Sequence, residues 1–244
     1  MNDMKKMLVI IPVLLFNLFV PAQQKFNDPN AELREAKYFH AISVSNAFDV
    51  YLSQSDKEVV AVSASEEKYR KDIKVEVENE VLKISFKKEG KFWHGWNSNK
   101  TKLKAYISFK VLDRLTASGA CDIHVEGTIK SDELKVNLSG ASDWKEGSID
   151  VKKLSVSVSG ASVMNVKGTA LQSDIDASGA SDFKGFEFNT DSCDARASGA
   201  SNINITVNKV LSAHASGASD VHYKGAGMIK EIKASGASNI SKRS

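Results

Sequence analysis

A five-residue segment that opens with Ser-Gly-Ala recurs seven times in the second half of this 244-residue chain. A period of 18 to 21 residues separates successive copies. Such a period is typical of a solenoid, in which each repeat forms one coil and buries its apolar side only against neighbouring coils. The glycines of the seven segments are Gly119, Gly140, Gly160, Gly179, Gly199, Gly217 and Gly236.

Aligned on these glycines, the repeats carry apolar residues at alternate positions. The residues four and two places before the glycine are apolar, as Val136 and Leu138 are, and the residue between them is polar, as Asn137 is. Four places after the glycine the apolar row resumes, for example at Ile123 and Trp144. This is the pattern of strands with one buried face. It predicts two strands flanking a corner in every coil, with Trp144 in the core.

The corner residues have physical roles in such a coil. Glycine accepts backbone angles that are closed to other residues, alanine fits where coils stack closely, and serine hydroxyls satisfy backbone groups of the turn. No proline follows Pro29, which suits strands whose N–H groups all enter the ladder. We therefore predict an all-β fold, a parallel β-helix with coils of about 20 residues, in which the seven glycines are structural.

The first 22 residues have the features of an export signal. Lys5 and Lys6 precede the apolar run Leu8–Val20, and Val20-Pro21-Ala22 offers small residues for cleavage before Gln23, which predicts a secretory signal peptide over residues 1–22. An uncleaved membrane anchor is the alternative, although the run is short for crossing a bilayer. The predicted location is outside the cytoplasm: periplasm, outer surface or extracellular space, with no transmembrane segment after cleavage.

The mature chain divides by its repeat pattern. We predict an N-terminal cap over residues 23–40, irregular β coils over 41–115 and regular coils over 116–244, the last two forming one continuous domain. Within the cap, Asp28-Pro29 followed by Ala31–Ala36 predicts a short capping helix. An exposed solenoid end also leaves open pairing with another chain and hence an oligomer.

Charge and cysteine content exclude some classes of protein. The formal net charge of +3 is too slight to indicate a nucleic-acid partner. Cys121 and Cys193 occupy unrelated repeat positions about four coils apart, beyond the reach of a disulfide. The sequence predicts two free thiols.

The corners, the segment Phe39–Leu52 with its strand, polar turn and strand, and the segment Val221–Gly225 resemble one known family. This is the auto-transporter adhesin head GIN domain family, first described as a domain of unknown function and common in Bacteroidetes. The resemblance spans about Phe39 to Ile240. It implies a right-handed parallel β-helix related to pectin-lyase-like solenoids, and a role in adhesion at the cell surface.

Few residues of the sequence are candidates for catalysis or metal binding. A catalytic serine needs one partnership with a base, and seven near-identical serine corners have no matching histidines. Six of the seven repeats carry an acidic or amide residue three places after the glycine, a column that suggests calcium. Val163 interrupts the column, and turn capping by aspartate explains it without metal. We predict no catalytic residue, no metal and no cofactor. The column comprises Asp122, Asp143, Asp182, Asn202, Asp220 and Asn239.

One segment departs from the regular repeat. Between Lys91 and Lys100, two of the three tryptophans lie in a polar stretch, and exposed aromatic rings beside amide and basic groups can contact sugar rings or a protein. In the alternative, the rings fold back over a coil edge. The predicted binding residues are Phe92, Trp93, His94 and Trp96.

These observations predict a secreted, non-catalytic β-helix that serves in adhesion and binds a glycan or a surface protein. A carbohydrate-active enzyme on the same scaffold, such as a polysaccharide lyase or hydrolase, is one alternative, because it fits both the solenoid and the export. It would require a cluster of carboxylates, or a basic residue beside a metal site, on one outward face. A structural or envelope-stress component that binds nothing small is the other.

Overall fold

The computed structural model describes residues 28–87 and 101–244, which form strands almost throughout. The signal peptide predicted over residues 1–22 lies outside these described residues. The elements in chain order are β1 (Glu32–Arg34), β2 (Ala41–Asn46), β3 (Phe48–Gln54), β4 (Val59–Ala64), α1 (Glu67–Lys71), β5 (Ile73–Glu78), β6 (Val81–Phe86), β7 (Leu103–Phe109), β8 (Arg114–Gly119), β9 (Asp122–Leu138), β10 (Asp143–Val158), β11 (Val163–Asn165), β12 (Lys167–Ala177), β13 (Asp182–Ala197), β14 (Asn202–Ala215), β15 (Asp220–Lys224), β16 (Met228–Ala234) and β17 (Asn239–Lys242).

The regular half of the chain stacks as parallel coils. Strand β10 pairs in parallel with β9 on one side and with β12 on the other, so that Val156 lies between Val136 and Ile175, its equivalents in the neighbouring coils. The same parallel register continues through β13 and β14 to β16 and β17. The predicted parallel β-solenoid with coils about 20 residues apart is confirmed.

Two sheets meet at the Ser-Gly-Ala corners. We call the sheet that follows each corner the front sheet; it contains β7, β3, β11, β15, β17 and the first parts of β9, β10, β13 and β14. The back sheet precedes each corner and contains β6, β2, β8, β12, β16 and the last parts of the same long strands.

The N-terminal half contains a corner that the repeat pattern does not reveal. Parallel pairing of β2 with β8 places Asn46 beside Gly119, and Asn46 has the same left-handed backbone, with φ of +82°. Asparagine tolerates this conformation better than most residues. Its side-chain Oδ1 accepts the N–H of Phe86 at 2.9 Å. The segment Ser45-Asn46-Ala47 is therefore an eighth corner, with asparagine in place of glycine.

Antiparallel strands close the N-terminal end of the solenoid. Strand β5 lies antiparallel on β6, β4 lies antiparallel on β7, and β1 adds to β4. The capping helix predicted over Ala31–Ala36 is wrong, because β1 occupies Glu32–Arg34. The edge of β4 offers this segment backbone hydrogen bonds, whereas so short an isolated helix is unstable. An ion pair of 2.7 Å between Glu32 and Arg70 joins β1 to the end of α1.

Each corner forms a backbone hydrogen bond with the preceding corner. The N–H of Ala161 donates to the carbonyl of Gly140 at 2.7 Å, and the other corners repeat this bond. Gly160 has φ of +77°, and a Cβ placed on it would lie 2.4 Å from that same carbonyl oxygen. Glycine is therefore required here both by backbone angle and by the closeness of the neighbouring coil.

The second serine of the corner is buried and bonds backbone groups from two coils. The hydroxyl of Ser201 lies 2.9 Å from the carbonyl oxygens of both Ser198 and Ala177, and it accepts the N–H of Ser198 at 3.1 Å. Ser201 is fully buried. The hydroxyl thus replaces the water that backbone groups at an exposed turn would otherwise bind.

The core consists of stacked columns of apolar side chains. Trp144 is fully buried, as the apolar pattern predicts, and Ile123 and Met164 occupy the same column in the adjacent coils. The Trp144 Nε1–H has no hydrogen-bond partner among the described residues. Both cysteines are buried free thiols, and burial raises the pKa of Cys193 to about 12.

Candidate functional site

The predicted binding residues Phe92, Trp93, His94 and Trp96 lie outside the described residues. In the sequence they fall between Phe86, where β6 ends, and Leu103, where β7 begins. A role for them in binding stays a prediction.

Within the described residues, the outward surface of the front sheet carries a continuous row of polar and aromatic side chains. Every member but one lies one position after the buried column; Glu146 lies two positions after Trp144, because the pairing of β9 with β10 shifts register there. Register between strands brings the members together from nine neighbouring strands. Because parallel strands lie about 4.8 Å apart, neighbouring members are within reach of one another. The row is Tyr106, Tyr51, His124, Glu146, Asn165, Lys184, Asn204, His222 and Ser241.

Three rings at the N-terminal end of this row are stacked. The Tyr51 ring centroid lies 5.1 Å from that of Tyr106 and 5.0 Å from that of His124, with interplanar angles of 15° and 14°. Neighbouring rings therefore cover both faces of Tyr51. The stack stabilises the contact between coils and offers a ligand ring edges and phenol hydroxyls rather than the Tyr51 faces.

Both phenols in the stack are neutral hydrogen-bonding groups. Burial, followed by the negative charges of Asp49 and Asp122, raises the pKa of Tyr51. Burial and the hydrogen bond that the Tyr106 hydroxyl donates to Asp28, at 2.8 Å, raise the pKa of Tyr106. At neutral pH each hydroxyl keeps its proton.

A cleft follows the stack along the same row. His124 Nδ1 lies 3.2 Å from Glu146 Oε1, which connects the stack to the rim of the cleft. The cleft has a volume of about 420 Å³, within the usual range for small-molecule sites. We call it the Phe186 cleft, and its lining residues are Glu146, Gly147, Asn165, Val166, Lys167, Lys184, Phe186, Glu187 and Asn204.

Irregularities in the strands create this cleft. The pairing of β9 with β10 shifts register between Trp144 and Ser148, and the pairing of β13 with β14 shifts between Gly185 and Asn189. Bulges of this kind bend a strand and redirect side chains. The result places the Phe186 ring at the surface with 36% of its area exposed.

The polar groups of the cleft offer both donors and acceptors. Lys224 Nζ lies 4.9 Å from the centroid of the Phe186 ring, a cation–π contact that holds the ring in place. Asn165 donates through Nδ2 to the carbonyl of Lys145 at 3.3 Å, which leaves its Oδ1 available. Two carboxylates, Glu146 and Glu187, lie beside lysines in the same lining.

Two members of the acidic column predicted from the repeats, Asp143 and Asp182, accept hydrogen bonds from the next coil, a contact that turn capping does not include. Asp143 Oδ1 accepts the N–H of Val163 at 3.0 Å, and Asp182 Oδ1 accepts from Asn202 Nδ2 at 2.8 Å. Lys145 lies 2.7 Å from Asp143 and also contacts Asp122 at 3.3 Å. Over residues 28–87 and 101–244, no group of three or more His, Cys, Asp or Glu side chains has an arrangement that could hold a metal ion.

The described part of the chain also contains no helix that is both long and apolar enough to cross a membrane.

The chain is similar to a known protein family. Residues 38–227 match the family model described as "Putative auto-transporter adhesin, head GIN domain". No curated protein matches the chain.

Several solved structures share the fold. A putative adhesin from Bacteroides fragilis has a TM-score of 0.75 at 21% identity, covering 87% of this chain and 96% of its own. A putative adhesin from Parabacteroides distasonis has 0.71 at 20% identity, covering 87% and 96%. A putative lipid binding protein from the same species has 0.66 at 22%, covering 89% and 98%. At these identities the likeness establishes the fold alone.

Proposed function

The chain belongs to the family described as "Putative auto-transporter adhesin, head GIN domain", and from this membership we propose that it is an exported, non-catalytic adhesion module that binds neutral glycan chains through the Phe186 cleft. We propose the domain plan given above as part of this function: residues 1–22 direct export, 23–40 cap the solenoid, and 41–244 form one binding domain.

The lining of the Phe186 cleft is the observation that supports a glycan. Sugar rings have an apolar face and a rim of hydroxyls, so their binding sites combine an aromatic surface with several donors and acceptors. Phe186 supplies the apolar surface, and the amides of Asn165 and Asn204 flank Lys184 on adjacent strands. The parallel sheet holds these groups before a ligand arrives, which lowers the entropic cost of binding.

The charges of the cleft favour a neutral glycan over an anionic one. Two carboxylates, Glu146 and Glu187, oppose two ammonium groups, Lys167 and Lys184, in the same lining. Lys184 also has Asp182 at 3.9 Å. An anionic sugar would meet carboxylates as well as lysines, whereas sugar hydroxyls can donate to the former and accept from the latter.

Exposure of the carboxylates supports a non-catalytic role. A glycosidase needs one carboxyl group whose pKa is raised by burial, so that it can act as an acid near neutral pH. The Glu146 side chain is 72% exposed, and Glu187 is also exposed. Neither carboxyl group occupies the apolar surroundings that such an acid requires.

The proposal is tested by screening the protein against neutral and acidic polysaccharides, measuring both binding and release of reducing ends. We expect binding to a neutral glycan without cleavage, and a loss of about tenfold in affinity in Phe186→Ala, the size of one lost aromatic contact. Leu171→Ala is the matched control, because Leu171 is an apolar side chain that is 55% exposed outside the cleft.

The remaining outcomes separate the alternatives. Loss of binding in Trp93→Ala/Trp96→Ala but not in Phe186→Ala would place the site in the 91–100 segment and contradict the cleft. Release of sugar products would establish the carbohydrate-active enzyme. Absence of binding to every polysaccharide would overturn the glycan proposal and favour a structural role.

A further inference from the structure

The C-terminal coil exposes residues whose equivalents are buried in the other coils. We use "C-terminal coil" for β16 and β17. Ile232 pairs with Ala213 and Ile229 with Leu211, both of which are fully buried, yet Ile232 is 42% and Ile229 is 39% exposed. Met228, at the start of β16, is 69% exposed. Such a group of exposed apolar side chains at one end of a sheet is a mark of an interface.

Backbone hydrogen-bonding groups accompany these side chains. Among the described residues, β16 pairs with β14 alone and β17 with β15 alone. The N–H of Ser235 points to β14, where it donates to the carbonyl of Ala215 at 3.0 Å. Because these directions alternate along a strand, the N–H and C=O of Ile232 and Ala234 point to the open edge. Unpaired strand edges recruit other strands.

Charge determines how a second copy could pair with this edge. Glu231 and Lys233 lie on the outer face of β16, where they form an ion pair of 2.5 Å. In an antiparallel pair of β16 strands related by a two-fold axis, a register centred on Glu231 opposes two glutamates, and one centred on Lys233 opposes two lysines. A register centred on Ile232 instead places Glu231 opposite Lys233 twice.

The register centred on Ile232 also pairs the backbone hydrogen-bonding groups at the open edge. With Ile232 opposite its own copy, both Ile232 residues direct their N–H and C=O groups at each other, as in the hydrogen-bonded pair of an antiparallel ladder. Two exposed isoleucines then meet on the inner face, and two opposite-charge pairs flank them on the outer face. Backbone direction, apolar exposure and charge therefore agree on one arrangement.

We propose that two copies of this chain associate through their C-terminal coils, with β16 antiparallel to β16 and Ile232 on the two-fold axis. Such an interface is self-complementary and closes after two copies. Among residues 28–87 and 101–244, the opposite end of the solenoid is formed by β5 antiparallel on β6 and by β1 on β4, and the two-fold contact does not involve these strands. The product is a dimer with its two N-terminal ends pointing apart.

This arrangement is independent of the glycan proposal, but it would affect adhesion. A two-fold axis at the C-terminal coil places two front sheets in one particle. Two linked sites bind a multivalent surface more tightly than either site alone, without any new contact to the ligand.

The test measures the mass of the protein in solution by sedimentation equilibrium, for the unaltered chain and for variants in which the charge of residue 231 or 233 is reversed. We expect the unaltered protein to be a dimer. Glu231→Lys should oppose lysine to lysine and Lys233→Glu should oppose glutamate to glutamate, each weakening the dimer by about tenfold or more. The double variant Glu231→Lys/Lys233→Glu should recover dimerisation, because it restores both pairs in reversed order.

Mixing the two single variants provides the decisive control. One copy then offers two lysines and the other two glutamates, so a heterodimer should form more readily than either variant dimerises alone. Both residues lie on the surface, and circular dichroism of the single variants verifies that folding is unchanged. A monomeric unaltered protein, a dimer indifferent to both single exchanges, or a growing filament would each overturn the proposal.

Discussion

Replacing a corner glycine by alanine tests whether close stacking of coils, in addition to backbone angle, dictates the Ser-Gly-Ala repeat. Gly160 has φ of +77° and would place a Cβ 2.4 Å from the carbonyl oxygen of Gly140. Gly127 has nearly the same φ, +79°, but no atom lies within 4 Å of its would-be Cβ. The two positions therefore share the backbone requirement and differ in space.

The expected free energies of unfolding follow from these contacts. A non-glycine residue in the left-handed region loses about 1–2 kcal/mol, which is the whole expected effect for Gly127→Ala. Gly160→Ala adds the cost of forcing a methyl group into a packed contact, about 1–3 kcal/mol, for about 2–5 kcal/mol in total. The smaller entropy of the unfolded chain with alanine affects both variants alike.

Urea unfolding followed by far-ultraviolet circular dichroism measures both variants against the unaltered protein. Because solenoids can unfold in segments, the transition should also be followed by tryptophan fluorescence, to which the buried Trp144 contributes. Gly160→Ala should be less stable than Gly127→Ala by about 1–3 kcal/mol. Equal losses in the two variants would refute the argument that the neighbouring coil excludes a side chain.

Three further predictions concern other positions in the solenoid. Trp144→Phe should change stability by less than about 1 kcal/mol in thermal unfolding, because the lost ring volume is offset by removal of an unpaired buried N–H; a loss as large as that of a cavity mutant would mean the N–H is satisfied. Asn46→Ala should be about 1 kcal/mol less stable than Asn46→Gly in urea, since both variants lose the acceptor for Phe86 but only alanine keeps the left-handed strain; equal stabilities would contradict a left-handed corner. Because burial raises the pKa of both thiols, Cys121 and Cys193 should stay protonated and unreactive toward a disulfide reagent at pH 8 until the protein is unfolded; fast labelling of the native protein would show that one is accessible.

The solenoid could be predicted from the sequence because the residues that define each coil lie close together in the chain and recur in every repeat. Every regular coil places Ser-Gly-Ala at its corner and apolar residues two and four places earlier, so one coil's pattern determines its contacts with the next. The parallel fold, the core position of Trp144 and the free state of the two thiols all follow from that register. The family was recognisable from the same corners.

The N-terminal half was less predictable because its pairings join segments far apart in sequence. Asn46 is a corner only through its register with Gly119, and an asparagine in a Ser-Asn-Ala segment does not by itself indicate a left-handed turn. The segment after Pro29 favours a helix by local propensity, but the free edge of β4 draws it into strand β1. In that segment, backbone hydrogen bonds to β4 outweigh the local helix propensity.

The candidate site was visible in the sequence only as scattered polar residues. The alignment on glycines places Asn165, Lys184 and Asn204 in one outward row, but it does not bring Phe186 to the surface beside them. That depends on the register shifts in β10 and β13, where one strand contains more residues than its neighbour. The sequence alone determined the fold of the regular coils, because a repeat specifies every contact that recurs. Only the tertiary structure determined the position of the Phe186 cleft, because bulges form where stacked coils of unequal length pair with each other.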